Sequence, residues 1–359
     1  MSHIQQRSSV IADAAAALRD PKLVPGALLA AGMYVAAGLV PFLGLFLGLF
    51  SPVPILYFYY RRGRSFGLTM TAVAFAAVGL LYILLGSPVG GLVFGEYCLM
   101  AVLLGEGLIR RLSPGRLVAT ASAGIIGLGL AVLVVVGIGS GQNPLTLGRN
   151  AVDHQIRSSM VMYEALFQMP SDPQAEVPAY EPAPSDETTI TPGEAPAPGV
   201  TVPALTPRGE ILAQAMLAVF PGLMIMGAIL MAWANLMVGR AFLARTVSLP
   251  PPLDDFKDWR APERMVFALI VGGFGAFIFQ GALRIIAINV LMVVCLIYFF
   301  QGISIMAFWF NRKGMPLFLR VTMYTLIGLQ QYLVVVVAAV GLFDLWFDFR
   351  KLKGTPQEG

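Results

Sequence analysis

Long apolar runs, each interrupted by few charges, limit the folds open to this chain more than any other feature. They fall near 66–86, 89–109, 117–139, 209–239, 263–281, 285–310 and 317–347, close to or above the ~20 residues a helix needs to cross a bilayer core. Lipid offers the backbone no hydrogen-bond partner, so runs of this kind fold as helices. The run from Leu23 to Tyr60 is too long for one helix. Pro41 divides it into helices near 24–39 and 42–60, the second softened by Pro52 and Pro54. The last run either stays whole and tilted or breaks at Gln330 and Gln331. The expected fold class is therefore all-α, a polytopic transmembrane helix bundle of nine or ten spans.

Composition agrees. Of 359 residues 57% are hydrophobic and 12% charged, about half the charged share of a soluble domain, which excludes an ordinary cytosolic enzyme. A net charge of +4 suggests nucleic acid only until the charges are placed. Arg61, Arg62 and Arg64, then Arg110, Arg111 and Arg116, the 240–264 loop, and Arg312 with Lys313 all fall on one side, which the basic bias makes the cytoplasm. The segment 140–207 is net −6 and belongs outside. Nine spans leave Arg350, Lys351 and Lys353 outside and ten return them to the cytoplasm, so the bias favours a broken final segment.

The organisation that follows is a cytoplasmic amphipathic segment (1–22), a front bundle of five spans (23–139), an external part (140–207), a rear bundle of four or five spans (208–347) and a basic tail (348–359). In the external part Val152, Ile156, Met160, Tyr163 and Phe167 draw one apolar stripe on a helix. Ten prolines between 170 and 207 leave too little apolar area to offset chain entropy, which predicts a disordered insert. Thr206 before Pro207 reads as an N-cap opening the next helix.

Catalytic signatures are missing. His3 and His154 lie outside the spans, and Cys98 and Cys295 are single thiols in apolar runs, so no metal site, triad or disulfide framework is expected. Gly272, Gly273 and Gly275 sit in an apolar helix rather than after a strand, so they bind no cofactor. Polar groups inside hydrocarbon are costly and are the first candidates for function. Glu96, Asn289 and Gln301 lack a local partner and form the expected ligand-binding set, whereas Glu106 pairs with Arg110 at i+4. Amides such as Asn235 also read as interhelical glue. Ala27 with Ala31, and Gly32 with Ala36, allow close helix packing within the bundle or docking of a membrane partner. Asp344 and Asp348, followed by aromatics and basic residues, read as an interfacial helix end that snorkels.

The rear half carries Phe256, Trp259 and Pro262 in FKDWRAPERM, then Asn289 and Gln301-Gly302, then Gly341, Asp344, Phe347, Phe349 and Arg350 in GLFDLWFDFR. With the SPVPILYFYYRRG turn at 51–63, these resemble the YybS-like family of bacterial membrane proteins, a domain of unknown function. The resemblance implies a multi-pass protein of the bacterial cytoplasmic membrane with no established activity. More remotely, the front half looks like the substrate-binding membrane component of energy-coupling-factor transporters, in which small residues on the first helix dock the coupling subunit. Ala27 and Ala31 match that pattern.

The functional expectation is a non-enzymatic membrane protein that binds a small molecule or ion within the bundle, as a transporter or transporter component. The alternative is an envelope scaffold that organises other membrane or cell-wall proteins through its external arm. The lipid bilayer is the one partner expected on either reading, and nucleic acid on neither.

Overall fold

The computed structural model describes residues 12–40, 43–167, 205–246 and 256–350. Its helices are α1 (Ala12–Leu18), α2 (Leu23–Leu39), α3 (Leu43–Leu49), α4 (Pro52–Arg62), α5 (Arg64–Leu84), α6 (Pro88–Ile109), α7 (Pro114–Ser140), α8 (Pro144–Phe167), α9 (Pro207–Thr246), α10 (Met265–Ile278), α11 (Gly281–Arg312), α12 (Leu317–Leu329) and α13 (Gln331–Phe347). A 3-10 turn at Phe256–Asp258 precedes α10. The Pro-rich stretch 170–204, the first residues of the amphipathic N-terminal segment, and Lys351 and Lys353 lie outside the described residues.

Proline starts many of these helices: Pro52, Pro88, Pro114, Pro144 and Pro207 each occupy the first helical position, where the missing N–H costs nothing. Thr206 caps α9 as expected, its Oγ1 accepting the Gly209 N–H at 3.1 Å. The second front helix is not continuous. It divides into α3 and α4, with Pro52 restarting the chain. By length and composition five single helices among the described residues can cross a membrane, α5, α6, α7, α9 and α11, or seven when α1–α2, bent by 75°, and α12–α13, bent by 107°, each count as one span. α10 has 14 residues, α4 has 11 and α3 has 7. Counting apolar runs and counting helix lengths diverge at these short elements.

The chain packs as two units. The first comprises Met1–Arg110, Leu117–Ala218 and Met231–Pro251. Lipid tails are as apolar as leucine, so helices there associate through close fit more than through the hydrophobic effect. Small residues supply that fit: Ala27, Ala30 and Ala31 of α2 are buried against Met70 and Ala74 of α5 and Ala101 of α6. A Cβ on Gly44 would lie 2.3 Å from the Ala37 carbonyl, so the α2–α3 contact requires glycine. The amphipathic α8 is tied to the start of α9 by Arg157, which donates to Glu210 at 2.6 and 2.8 Å and to Asp153 at 2.9 Å. Donating hydrogen bonds to Glu210 first, and then to Asp153, raises the pKa of that guanidinium.

The second unit comprises Arg111–Arg116, Val219–Leu230 and Pro252–Gly359. α10 and α11 form a hairpin turned at Phe279 and Gln280. α13 crosses α11 at two glycines: a Cβ on Gly302 would lie 2.0 Å from the Val337 carbonyl, and one on Gly341 would lie 2.0 Å from the Tyr298 carbonyl.

Candidate functional site

Glu96 sits midway along α6 in the first unit. Phe94 and Tyr97 share one face of that helix and pack on Tyr34 of α2, with ring centroids at 4.8 and 5.6 Å, while Tyr82 of α5 completes the cluster at 5.9 Å. Tyr34 donates its hydroxyl to the Gly90 carbonyl at 2.7 Å. Glu96 projects from a different face, toward α7, where a Cβ on Gly129 would stand 3.4 Å from its Oε1. The carboxylate is half-buried and makes no hydrogen bond or ion pair among the described residues. An acid placed so within an apolar span is expensive as an anion unless it binds something or takes up a proton.

Glu106, one helix turn from the end of α6, is built differently. Its carboxylate accepts from Tyr59 at 3.0 Å and pairs with Arg110 at 2.8 Å and Arg64 at 3.4 Å. The expected i+4 pair is present, and it joins α4, α5 and α6. Asn235 is likewise glue: its Nδ2 donates to the carbonyls of Leu49 and Met231, both at 2.9 Å.

The other two expected ligands lie in the second unit, and their amides are engaged by protein. Asn289 Oδ1 accepts the Gly222 N–H, one residue beyond the proline inside α9, and its Nδ2 donates to the Ile285 carbonyl at 2.8 Å. Gln301 accepts the Ala261 N–H at 3.1 Å and donates to Asp344 Oδ2 at 3.1 Å.

Gln301 thereby enters a buried polar network. Arg350 Nη2 donates to Asp344 Oδ2 at 2.9 Å, and both side chains are 0% exposed. Its Nη1 donates to Ser304 Oγ at 2.8 Å and to the carbonyls of Lys257 at 2.8 Å and Trp259 at 3.0 Å. Ser304 donates to the same Trp259 carbonyl at 2.9 Å. Asp344 Oδ1 accepts the Phe349 N–H at 3.0 Å, holding the turn in which Asp348 takes a left-handed φ of 40°. Asp348 itself pairs with Arg260. The snorkelling expectation is thus corrected for Asp344 and Arg350. They face inward and bind each other because α11 supplies Gln301 and Ser304 opposite them. Arg350 Nε, Arg260 Nε and Tyr298 Oη are buried with no hydrogen-bond partner among the described residues, so the network is incompletely satisfied.

The rear-half residues on which the family resemblance rests therefore converge on this one feature. Phe256 stacks on Trp259 with centroids 6.3 Å apart, the Trp259 carbonyl meets Arg350, Pro262 accepts the Met265 N–H that starts α10, and Gly341 lets α13 approach α11. Sequence reasoning missed Ser304, Arg260 and Asp348 as members. Ser304 follows Gln301 at i+3 in an otherwise apolar stretch of α11, a spacing that marks a shared polar face. On α2, Ala27 and Ala31 are buried within the unit whereas Gly32 is exposed. Among the described residues no three His, Cys, Asp or Glu side chains converge to hold a metal.

A family model described as "Predicted membrane protein (DUF2232)" matches residues 28–179 and 205–345. No curated protein and no solved structure matches the chain.

Proposed function

The chain belongs to the DUF2232 family of predicted membrane proteins, and from that premise we propose that it is a non-enzymatic membrane component that binds a small molecule or ion in its first unit. Glu96 is the anchoring group. The observation that carries this reading is a half-buried carboxylate within a candidate span, with no hydrogen-bond or ion-pair partner among the described residues. Glu106, Asp344 and Glu210 each meet an arginine, so an acid left without one stands out. A lone carboxylate in low dielectric attracts positive charge, which makes the ligand a cation or an organic amine. Asn289 and Gln301 have their amides engaged within the second unit and act as structural polar groups. A role as transporter or transporter component follows from a binding group placed within a membrane helix. Orientation, with the basic turns cytoplasmic, rests on the charge bias, and a cysteine at Ser113 that reacted with an impermeant reagent in intact spheroplasts would reverse it.

The test is thermal. Purified protein in lipid nanodiscs is unfolded in the presence of alkali and alkaline-earth cations, choline, spermidine and a panel of primary amines. At least one should raise the melting temperature of the wild type and leave Glu96→Gln unmoved. If no probe shifts the wild type, or the shift persists in the variant, the assignment is wrong.

A further inference from the structure

Four points of the second unit meet at one of its ends. The base of α10 is there, because Ser304 binds the carbonyls of Lys257 and Trp259. Ser304 stands eight residues before the end of α11, about 12 Å along its axis. α12 begins at the same place: Arg320 donates to the carbonyls of Met315 at 2.7 Å and Phe310 at 3.2 Å, and Tyr324 packs on Phe310 with centroids 5.6 Å apart. α13 finishes there too, since Arg350 reaches Ser304 and the 257–259 carbonyls. Between the start of α12 and the end of α13 the chain turns by 107° at Gln330.

The surface around this end has its own chemistry. Trp346 is 63% and Phe347 69% exposed, and Phe343 and Phe349 pack beside Phe347 with centroids 6.2 and 5.9 Å away. Trp309, near the end of α11, lies under Arg312 at 5.4 Å and Lys313 at 5.8 Å. An exposed tryptophan such as Trp346, and one flanked by cations such as Trp309, suit the headgroup layer, where an aromatic ring meets lipid on one side and water on the other. The arginine that would otherwise snorkel, Arg350, is instead used inside to fix the end of α13.

We propose that α12 and α13 form a hairpin that enters and leaves the bilayer through one face. On this arrangement the aromatic end of α13 docks in the headgroup layer of the leaflet that also holds the base of α10 and the end of α11. The partner of this surface is lipid, and the 107° turn is the far point of the hairpin. This is independent of any ligand at Glu96.

Sidedness and depth are measured on the full chain. Single cysteines at Ser248, in the sequence between α9 and α10, and at Thr355, near the C-terminal end of the sequence, should react with an impermeant maleimide from the same side of sealed vesicles, and one at Gln280, in the α10–α11 turn, from the other. For depth, tryptophan emission is recorded in vesicles of brominated phosphatidylcholines. The loss of quenching caused by Trp346→Phe should be larger for bromines near the headgroup than for bromines near the chain ends. Thr355→Cys labelling together with Gln280→Cys overturns the hairpin. Deep quenching of Trp346, or none, overturns the interfacial docking.

Discussion

Removing the guanidinium of Arg350 strands the Asp344 carboxylate at 0% exposure, together with the Lys257 and Trp259 carbonyls that it had satisfied. Breaking one side of a buried pair costs about 3–5 kcal/mol, whereas replacing both partners with apolar groups of similar size is often nearly neutral. Because Arg350 Nε and Tyr298 Oη are already unsatisfied, the pair starts from an imperfect balance. Arg350→Ala should therefore destabilise the protein by about 3–5 kcal/mol, and the double variant Asp344→Leu, Arg350→Met should recover most of that loss in denaturant titrations in detergent. A double variant as unstable as the single one would mean that the network does more than satisfy itself. Asp344 and Arg350 stand six positions apart, but the groups that turn them inward are distant in sequence: Gln301 lies 43 positions before Asp344 and Ser304 46 before Arg350. Read locally, an acid followed by aromatics and basic residues describes an interfacial end, and the exposed Trp346 and Phe347 are the part of that description that holds. For Glu96, by contrast, the lack of a local partner is legible from one line of sequence, since no base lies within a turn of it on its own helix.

Helices in this chain meet where side chains are smallest. A methyl group added at Gly341 would overlap the Tyr298 carbonyl and the Gly302 amide, and backbone cannot swing aside as a flexible side chain can. Gly341→Ala should cost at least ~1–3 kcal/mol through forced separation of α11 and α13. Gly328 of α12 has nothing within 4 Å of the same position, so Gly328→Ala should be neutral or stabilise by up to ~1 kcal/mol through helix propensity. Equal effects of the two substitutions would remove the close crossing from the account. The sequence shows many glycines in apolar runs but not which ones face a neighbour. Spacing alone suggested Ala27 with Ala31 and Gly32 with Ala36 as pairs, and the structure buries the first pair while leaving Gly32 open. Helix starts were easier to read. Thr206 and Pro207 act through their own backbone, and no distant partner can change that.

Across the whole molecule, hydropathy identified the class and the runs, while the number of crossings depends on where helices break. Pro52 and Gln330 mark two of the breaks, and the angle at each is set by packing that no local pattern encodes. Each unit then carries one polar feature: in the second a network centred on Arg350, whose groups mostly meet one another, and in the first a carboxylate at Glu96 that meets no polar partner among the described residues. The network explains how the second unit holds its shape, and the carboxylate is where binding is expected. Native mass spectrometry of the protein released from nanodiscs, after incubation with the cations and amines used for the melting assay, tests that division most directly. Wild type should carry one cationic adduct per chain that Glu96→Gln lacks, while Gln301→Leu, if it folds, should keep it. Spectra that are identical for wild type and Glu96→Gln would contradict the account.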